Sequence, residues 1–255
     1  MGVGVGVGVG LSQPRSGSGG AAASPEPFGA LELWLDSGAY STDAGDMDTI
    51  TNQAAGGPSS VWSAIGADYD VISDINGSGM DAFNREFAGQ WINADVQQPM
   101  DTGGTTIVWL VKPLTGVSGN VSGVHTNTSN INWGGIEILT TNVIHVAWPR
   151  INSTVLSTGT PINGNAWNLM ITTVPLSATA AVYCNTADVT KGAPGTYDGA
   201  NNSNFNYAFS GSNSGSIAHH ALIMVYGEVL SLENINNVGN WASDRFGLSQ
   251  TWALS

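Results

Sequence analysis

Carboxylates are the first residues of this sequence to test for catalysis, because their spacing decides which hydrolytic chemistry they can perform. Cleavage of a glycosidic bond needs two carboxyl groups about 5–10 Å apart, which acids two or four residues apart on one strand would supply. Glu32 and Glu137 each stand alone in an apolar segment, and Glu228 and Glu233 flank a turn and a helix start. The sequence therefore predicts no catalytic carboxylate pair, and we do not expect an enzyme.

The histidines and the single cysteine form no metal-binding or nucleophilic motif. His219 and His220 are adjacent, and neighbouring residues of a strand point to opposite faces, so they cannot share one site without a bulge. Cys184 ends the apolar run Ala180-Ala-Val-Tyr-Cys184, which predicts a buried thiol. No spacing indicates a Ser–His–Asp or Cys–His arrangement. We expect neither a catalytic residue nor a resident metal or cofactor.

Two acidic loops offer the oxygen ligands that calcium prefers. One has three aspartates at positions 43, 46 and 48, and the other has three at positions 68, 70 and 74. Neither has the spacing of an EF-hand loop, so a solvated turn is the simpler interpretation. Calcium stays open as the alternative, with no preferred set of ligands.

Tryptophan is the residue type that gives the best lead to a ligand. The chain contains nine, and an aromatic face beside amide groups suits the C–H groups and hydroxyls of a sugar. We predict a glycan-binding site at Trp133, Asn130 and Asn132, because Trp133 is surrounded by polar residues and glycines. The alternative for most tryptophans is burial in the core. This alternative applies also to those near turns or strand ends: Trp62, Trp91, Trp148 and Trp252.

Composition and charge indicate an all-β protein and argue against several kinds of partner. Only 10% of the 255 residues are charged and 34 are glycine, which is typical of strands joined by many turns rather than of helices. The net charge is −13, and there is no basic stripe, so we expect no nucleic-acid partner. An anionic membrane surface is disfavoured for the same reason, and no apolar stretch approaches the length of a transmembrane helix.

Residues 1–11 are a Gly/Val repeat that predicts an anchoring arm. An extended chain puts its valines on one face, and ordering so many glycines costs backbone entropy, so the arm needs a surface to dock on. The anchor residues are Val3, Val5, Val7, Val9 and Leu11. Gly, Ser and Pro in residues 12–29 predict a flexible linker to a globular domain at 30–255. No basic residue precedes the repeat, so a signal peptide is not expected.

Segments with strand character recur along residues 30–226, separated by turn signals. Two pairs are predicted hairpins: residues 135–139 with 143–148, and residues 167–174 with 180–184. One helix follows near the end of the chain. Ser231 is a good N-cap and Gly247 is placed to end it. Its apolar stripe consists of Ile235, Val238, Trp241, Ala242 and Phe246.

Three segments carry a resemblance to a known family. They are Leu31-Glu-Leu-Trp-Leu-Asp36, the stretch from Arg85 to Pro113, and the stretch from Ala221 to Leu248. In order and spacing they resemble the concanavalin A-like lectin/glucanase sandwich, in the laminin-G-like version found in bacterial and phage proteins. The resemblance implies an antiparallel β-sandwich (jelly roll) with one short C-terminal helix, preceded here by the extended N-terminal arm.

The resemblance also implies a function in carbohydrate binding or as a structural module. We expect a structural subunit of a phage or phage-like virion, a head fibre, decoration protein or tail appendage. It would dock on other virion proteins through its arm, form a homo-oligomer, and present a lectin-like domain to polysaccharide of the host surface. The alternatives are a stand-alone carbohydrate-binding module, a glycan hydrolase of the same fold and a secreted adhesin.

Overall fold

The computed structural model describes residues 24–65, 69–85, 91–99, 104–114, 121–125, 135–138, 144–147, 155–157, 162–175, 180–191, 204–211 and 217–255. These residues form two antiparallel sheets and one α-helix. The strands are β1 (Leu31–Asp36), β2 (Tyr40–Asp43), β3 (Asp46–Thr51), β4 (Val61–Ile65), β5 (Asp70–Ile72), β6 (Ala82–Arg85), β7 (Trp91–Pro99), β8 (Thr105–Pro113), β9 (Val121–His125), β10 (Gly135–Ile138), β11 (Ile144–Ala147), β12 (Val155–Ser157), β13 (Asn168–Val174), β14 (Ala181–Cys184), β15 (Ala187–Asp188), β16 (Thr190–Lys191), β17 (Asn204–Gly211) and β18 (Ala218–Tyr226). The helix is α1 (Leu232–Arg245).

The two sheets have a simple antiparallel order that confirms the predicted β-sandwich. Sheet I runs β15-β14-β13-β8-β18-β6-β5, with β1 also paired to β18. Sheet II runs β16-β12-β11-β10-β9-β17-β7-β4-β3-β2. Both predicted hairpins are confirmed, because β10 pairs with β11 and β13 pairs with β14.

Alternation along β8 divides the buried side chains between two cores. Ile107, Trp109 and Val111 face sheet II, whereas Val108 and Leu110 face the helix, as expected because successive side chains of a strand point to opposite faces. The molecule therefore has three layers, with sheet I in the middle. A sheet buried on both faces needs apolar residues at nearly every position, which explains the continuous run Ile107–Val111.

The two adjacent histidines lie on opposite faces of sheet I, as predicted. His220 is fully buried in the core between the sheets, where Trp109 Nε1 donates to its Nδ1 at 3.3 Å. Burial and the positive charge of Arg85 lower the pKa of His220 well below its usual value, so the ring is neutral. His219 is half-buried on the other face and contacts the ring of Trp167. Cys184 is buried, as predicted, and burial raises its pKa to about 12.

Helix α1 begins and ends where the sequence predicts. Ser231 Oγ accepts a hydrogen bond from Asn234 N at 3.2 Å, which caps the first turn. Gly247 adopts a left-handed conformation with φ +61°, as glycine does after a helix end. The predicted apolar stripe packs on sheet I, and its members are all buried: Ile235, Val238, Trp241, Ala242 and Phe246.

A buried carboxylate attaches the last turn of α1 to the first strand of sheet I. Asp36 is fully buried, and its Oδ2 accepts from Arg245 Nε and from Trp34 Nε1, each at 2.8 Å. Its Oδ1 accepts from Gln53 Nε2 at 2.8 Å and from Gly38 N at 2.7 Å. With four donors around one carboxylate, the charge is fully compensated in the interior.

The segment after α1 turns back along the helix and is held there by two asparagines. Asn240 exchanges two hydrogen bonds with the backbone of Trp252, at 2.8 and 3.0 Å. Asn236 does the same with Leu254, at 2.8 and 3.1 Å. The indole of Trp252 lies directly over Gly239, where an added Cβ would come within 2.3 Å of the ring. This pairing fixes the path of residues 248–254 next to sheet I.

Residues 24–29 pack against the sandwich, which differs from the flexible tether that their composition predicts. Glu26–Phe28 form a 3-10 helix, and Phe28 packs on the core beneath α1. Glu26 Oε1 accepts from Ala55 N at 2.7 Å, and Glu228 Oε1 accepts from Ala30 N at 2.6 Å. These contacts to distant parts of the chain outweigh the local preference for a loop. The remaining linker and the arm, with Val3, Val5, Val7, Val9 and Leu11, lie outside the described residues.

Within the described part of the chain, no helix is both long and apolar enough to cross a bilayer.

Candidate functional site

An open groove of about 480 Å³ lies on the helix-bearing face of sheet I, just beyond the end of α1. It combines one large aromatic side chain, one cation and several amides. Its lining is formed by Asn76, Lys112, Asn165, Ala166, Trp167, Gly247, Leu248, Ser249 and Gln250. None of these described lining residues is an aspartate or glutamate.

Three neighbouring strands bring Trp167, Lys112 and His219 together at this end of sheet I. His219 on β18 is the cross-strand partner of Lys112 on β8, and cross-strand partners point to the same face. On the other side of β8, Asn168 pairs with Val111, so Trp167 lies next to Lys112 at the start of β13. The Trp167 and His219 ring centroids are 6.4 Å apart. The Trp167 ring is half-exposed.

The electrostatics of the groove are set by Lys112. Burial lowers the pKa of His219, and the positive charge of Lys112 lowers it further. His219 is therefore neutral at pH 7 and offers a hydrogen-bonding ring nitrogen, whereas Lys112 carries the positive charge. Among the described residues no carboxylate forms a salt bridge with Lys112.

Asn168 fixes the short loop that ends in Trp167. This side chain is fully buried, and its Nδ2 donates to Asn163 O at 2.9 Å and Ala166 O at 2.8 Å. Its Oδ1 accepts from Asn163 N at 3.0 Å and from Asn185 Nδ2 at 2.9 Å. The amide thus uses its full hydrogen-bonding capacity. The backbone of Asn165 is held as well, since its N donates to Pro113 O at 2.7 Å.

The opposite wall of the groove is the segment that leaves α1. Asn76 Nδ2 donates to Phe246 O at 3.0 Å, which ties the turn at Ile75–Gly77 to the end of the helix. An added Cβ on Gly247 would lie 3.0 Å from Asn76 O. Glycine is therefore needed here for the close approach as well as for the positive φ.

Gln250 links this wall to the loop that carries Trp167. Its Nε2 donates to Asn185 Oδ1 at 3.1 Å, and that same oxygen accepts from Leu169 N at 3.0 Å. Asn168, Asn185 and Gln250 therefore form a continuous amide network under the groove. A rigid network of this kind holds a binding surface in place before the ligand arrives, which reduces the entropy cost of binding.

The arrangement suits binding of a polyhydroxylated ligand. The Trp167 ring offers an apolar face, and the neighbouring Asn and Gln side chains offer donors and acceptors for hydroxyl groups. Glycoside hydrolysis requires two carboxyl groups across the bond that is cleaved, and the described lining residues include none.

The predicted glycan-binding site and the groove both combine a tryptophan with asparagines, but they involve different residues of the chain. Trp133, Asn130 and Asn132 lie outside the described residues, so that site stays a prediction. Burial is confirmed for Trp62 and Trp252. From the sequence, Trp167 is predicted to begin a strand and is not among the predicted glycan-binding residues. The available signal was Asn163-Gly-Asn165 just before it, the same polar, glycine-containing setting that singled out Trp133.

The two acidic loops are described only in part, because Asp68 lies outside the described residues, and calcium stays open as the alternative. Asp43 and Asp46 pair across the turn between β2 and β3, and Asp70 lies in β5. The Asp74 carboxylate accepts from Gly79 N at 2.7 Å, so it closes a local turn. Among the described residues, no group of three or more His, Cys, Asp or Glu side chains is placed to hold a metal ion.

A second cavity of about 360 Å³ lies at the other edge of α1, between the β14–β15 hairpin and the end of the chain. Tyr183 and Asp188 contribute to it, with Leu232 from the first turn of α1 and Leu254 from the terminal segment. Its lining has no half-exposed tryptophan and no lysine. We therefore place the candidate site in the groove beside Trp167.

Comparison with solved structures shows which proteins share this architecture. The receptor-binding domain of botulinum neurotoxin C/D mosaic serotype is similar, with a TM-score of 0.61 and 13% identity over 83% of this chain and 51% of that chain. This protein therefore shares the fold of that receptor-binding domain. The binding domain of Paraclostridial Mosquitocidal Protein 1 is similar too, with a TM-score of 0.57 and 13% identity over 86% of this chain and 53% of that one.

A third similar structure is Trypanosoma rangeli sialidase in complex with sialic acid, with a TM-score of 0.57 and 9% identity over 84% of this chain and 33% of the sialidase. The chain thus spans about half or less of the length of these three structures. No family model matches the sequence, and no curated protein matches it. At these identities the likeness establishes the β-sandwich fold and nothing finer.

Proposed function

We propose that this protein is a carbohydrate-binding β-sandwich that takes a glycan in the groove beside Trp167. The observation that carries the proposal is the half-exposed Trp167 ring, held by a buried amide network and surrounded by Asn76, Asn165 and Gln250. Aromatic faces flanked by amides are suited to sugars, because a pyranose presents C–H groups on its faces and hydroxyls at its edges. Binding domains among the solved structures of similar fold support the proposal.

Replacing Trp167 with alanine should abolish most glycan binding without unfolding the domain. The ring is half-exposed and packs only in part on the core beneath α1, so its loss should remove the ligand contact at some cost in stability while the domain stays folded. Central aromatic contacts are worth about 2 kcal/mol or more, which corresponds to a roughly 30-fold weaker affinity. Isothermal titration of the full chain with a glycan selected on a printed panel measures the effect.

The matched control is Trp167→Phe, which keeps an aromatic face and should retain most of the affinity. Circular dichroism of both variants checks that the sandwich is intact. Equal affinity of the wild type and a folded Trp167→Ala variant would refute the site. Failure of the wild type to bind any glycan on the panel would refute the function.

We further propose that the domain is displayed on a phage or phage-like particle, anchored through its Gly/Val arm and present in several copies. Support comes from the ends of sheet I. Residues 24–29 pack where β8 begins, near Glu228, whose backbone O accepts from Thr106 Oγ1 at 2.9 Å. Lys112 lies at the other end of β8, seven residues from Thr105, which is roughly 24 Å of strand. A domain attached at the end of sheet I where β8 begins would direct the groove, which lies at the opposite end, away from the attachment surface.

Removing residues 1–23 should leave a folded domain that no longer joins its particle. The two described cores and the contacts of Pro25 and Glu26 are formed by residues that the truncation keeps, so the melting temperature and glycan affinity should stay close to those of the full chain. Particles assembled with the truncated chain should lack it by immunoblot and electron microscopy. Normal incorporation of the truncated chain would contradict the anchoring role.

A further inference from the structure

We propose that the groove selects acidic glycans, with Lys112 contacting a carboxylate or sulfate group on the sugar. This inference rests on the proposed function and names the class of sugar. It is carried by a cation that has no anionic partner in the described structure, although it lies in a groove lined by sugar-compatible groups.

The setting of Lys112 differs from that of the other described cationic side chains. The chain has only 6 Lys and Arg residues against 19 Asp and Glu. Arg245 is paired with Asp36 at 2.8 Å, and Arg85 is fully buried between the sheets. Lys112 is half-exposed and borders an open groove. In a chain with 19 acidic residues, a positive charge that pairs with no carboxylate among the described residues is available for an anionic ligand.

The surroundings of Lys112 strengthen its attraction for an anion. No described lining residue carries a negative charge, so nothing in the lining competes for the ammonium group. His219, its cross-strand partner, is neutral at pH 7 because burial and Lys112 both lower its pKa. The sheet floor and the Trp167 ring displace part of the water around the groove, and ion pairs are stronger where water is partly excluded.

The position of Lys112 beside Trp167 favours an acidic sugar over an anion of another kind. A sugar ring stacked on the indole would place its substituents toward the groove wall that carries the amides. A simple phosphate or an acidic peptide would use the charge and leave the aromatic face without a partner. The combination of one cation, one aromatic face and several amides therefore matches an acidic monosaccharide unit within a glycan.

The test uses the full chain on a printed panel in which each neutral oligosaccharide is accompanied by its carboxylated and sulfated forms, for example lactose, 3′-sialyllactose and 3′-sulfolactose. We expect the acidic forms to bind about 10-fold more tightly than the neutral form, in line with a charge-assisted contact. Raising NaCl from 50 to 500 mM should reduce this preference, because salt screens partly exposed charges. Which acidic form binds better identifies the anionic group.

Lys112→Gln should remove the preference, measured as the ratio of the affinities for the acidic and the neutral form of the same glycan. The control is Lys191→Gln, since Lys191 belongs to β16 in sheet II, whereas the groove lies on the helix-bearing face of sheet I. Equal binding of neutral and acidic forms by the wild type, or an unchanged preference in a folded Lys112→Gln variant, would overturn the inference and leave the proposed function standing. Absence of binding across the panel would count against both.

Discussion

Replacing Asp36 with alanine will lower the free energy of unfolding by about 3–5 kcal/mol, because it leaves a cation without its partner in a largely buried setting. Arg245 is covered on both sides, with its Cζ 5.3 Å from the Trp34 ring centroid and 5.4 Å from that of Trp241. Loss of the carboxylate also leaves the Trp34 indole N–H and the Gln53 amide without an acceptor. Each stranded donor adds a desolvation cost.

Urea titration followed by far-UV circular dichroism measures the change. Asp36→Asn keeps the shape and loses the charge, so it should destabilise by about 2 kcal/mol. Asp244→Asn, an exposed neighbour of Arg245, removes the same charge and should stay within about 0.5 kcal/mol of the wild type. If Asp36→Ala were as stable as Asp244→Asn, the contact between β1 and α1 would not hold the helix in the way described.

Replacing Asn168 with alanine will damage stability and glycan binding together. The variant loses all four hydrogen bonds of a fully buried amide, which leaves Asn163 N, Ala166 O and Asn185 Nδ2 without this partner. Buried groups left without partners each cost on the order of 1–3 kcal/mol, so we expect about 3 kcal/mol or more in total. Because the released loop carries Trp167, the affinity for the glycan should fall at least about 10-fold.

Asn163→Ala is the matched control for this loop. The Asn163 side chain is exposed, and its hydrogen bonds in the described structure are made by its backbone. Its removal should change stability by less than about 0.5 kcal/mol and leave binding intact. A destabilised Asn168→Ala variant that still binds at full affinity under native conditions would show that the loop does not position Trp167.

The strands and the helix could be predicted from local patterns in the sequence, as β8 and α1 show. The β-branched and aromatic run of β8 could only be a strand, and the apolar stripe from Ile235 to Phe246 between Ser231 and Gly247 could only be a helix. Hairpin neighbours such as β13 and β14 are joined by short connections, so their pairing was predictable as well. These features depend on residues close together in the chain.

The groove could not be predicted in the same way, because contacts between distant residues create it. The loop before Trp167 is held by Asn168, whose Oδ1 accepts from Asn185, 17 residues further along the chain. Asn185 in turn accepts from Gln250, another 65 residues on. The polar segment Asn163-Gly-Asn165 before Trp167 is a local signal for an exposed ring, but it does not show which residues surround that ring in the groove. Likewise, residues 24–29 look like a linker, and long-range contacts such as the hydrogen bond from Ala55 N to Glu26 Oε1 make them part of the domain.

The most direct test of the central claim is ¹⁹F NMR of the full chain labelled with 5-fluorotryptophan and titrated with a glycan bound on the panel. The nine tryptophans give separate reporters, and Trp167→Phe and Trp133→Phe identify two of them by the missing resonance. We expect the Trp167 resonance to shift with saturation at the calorimetric affinity. A glycan-dependent shift at Trp133 or another tryptophan, with the Trp167 resonance unmoved, would contradict the account.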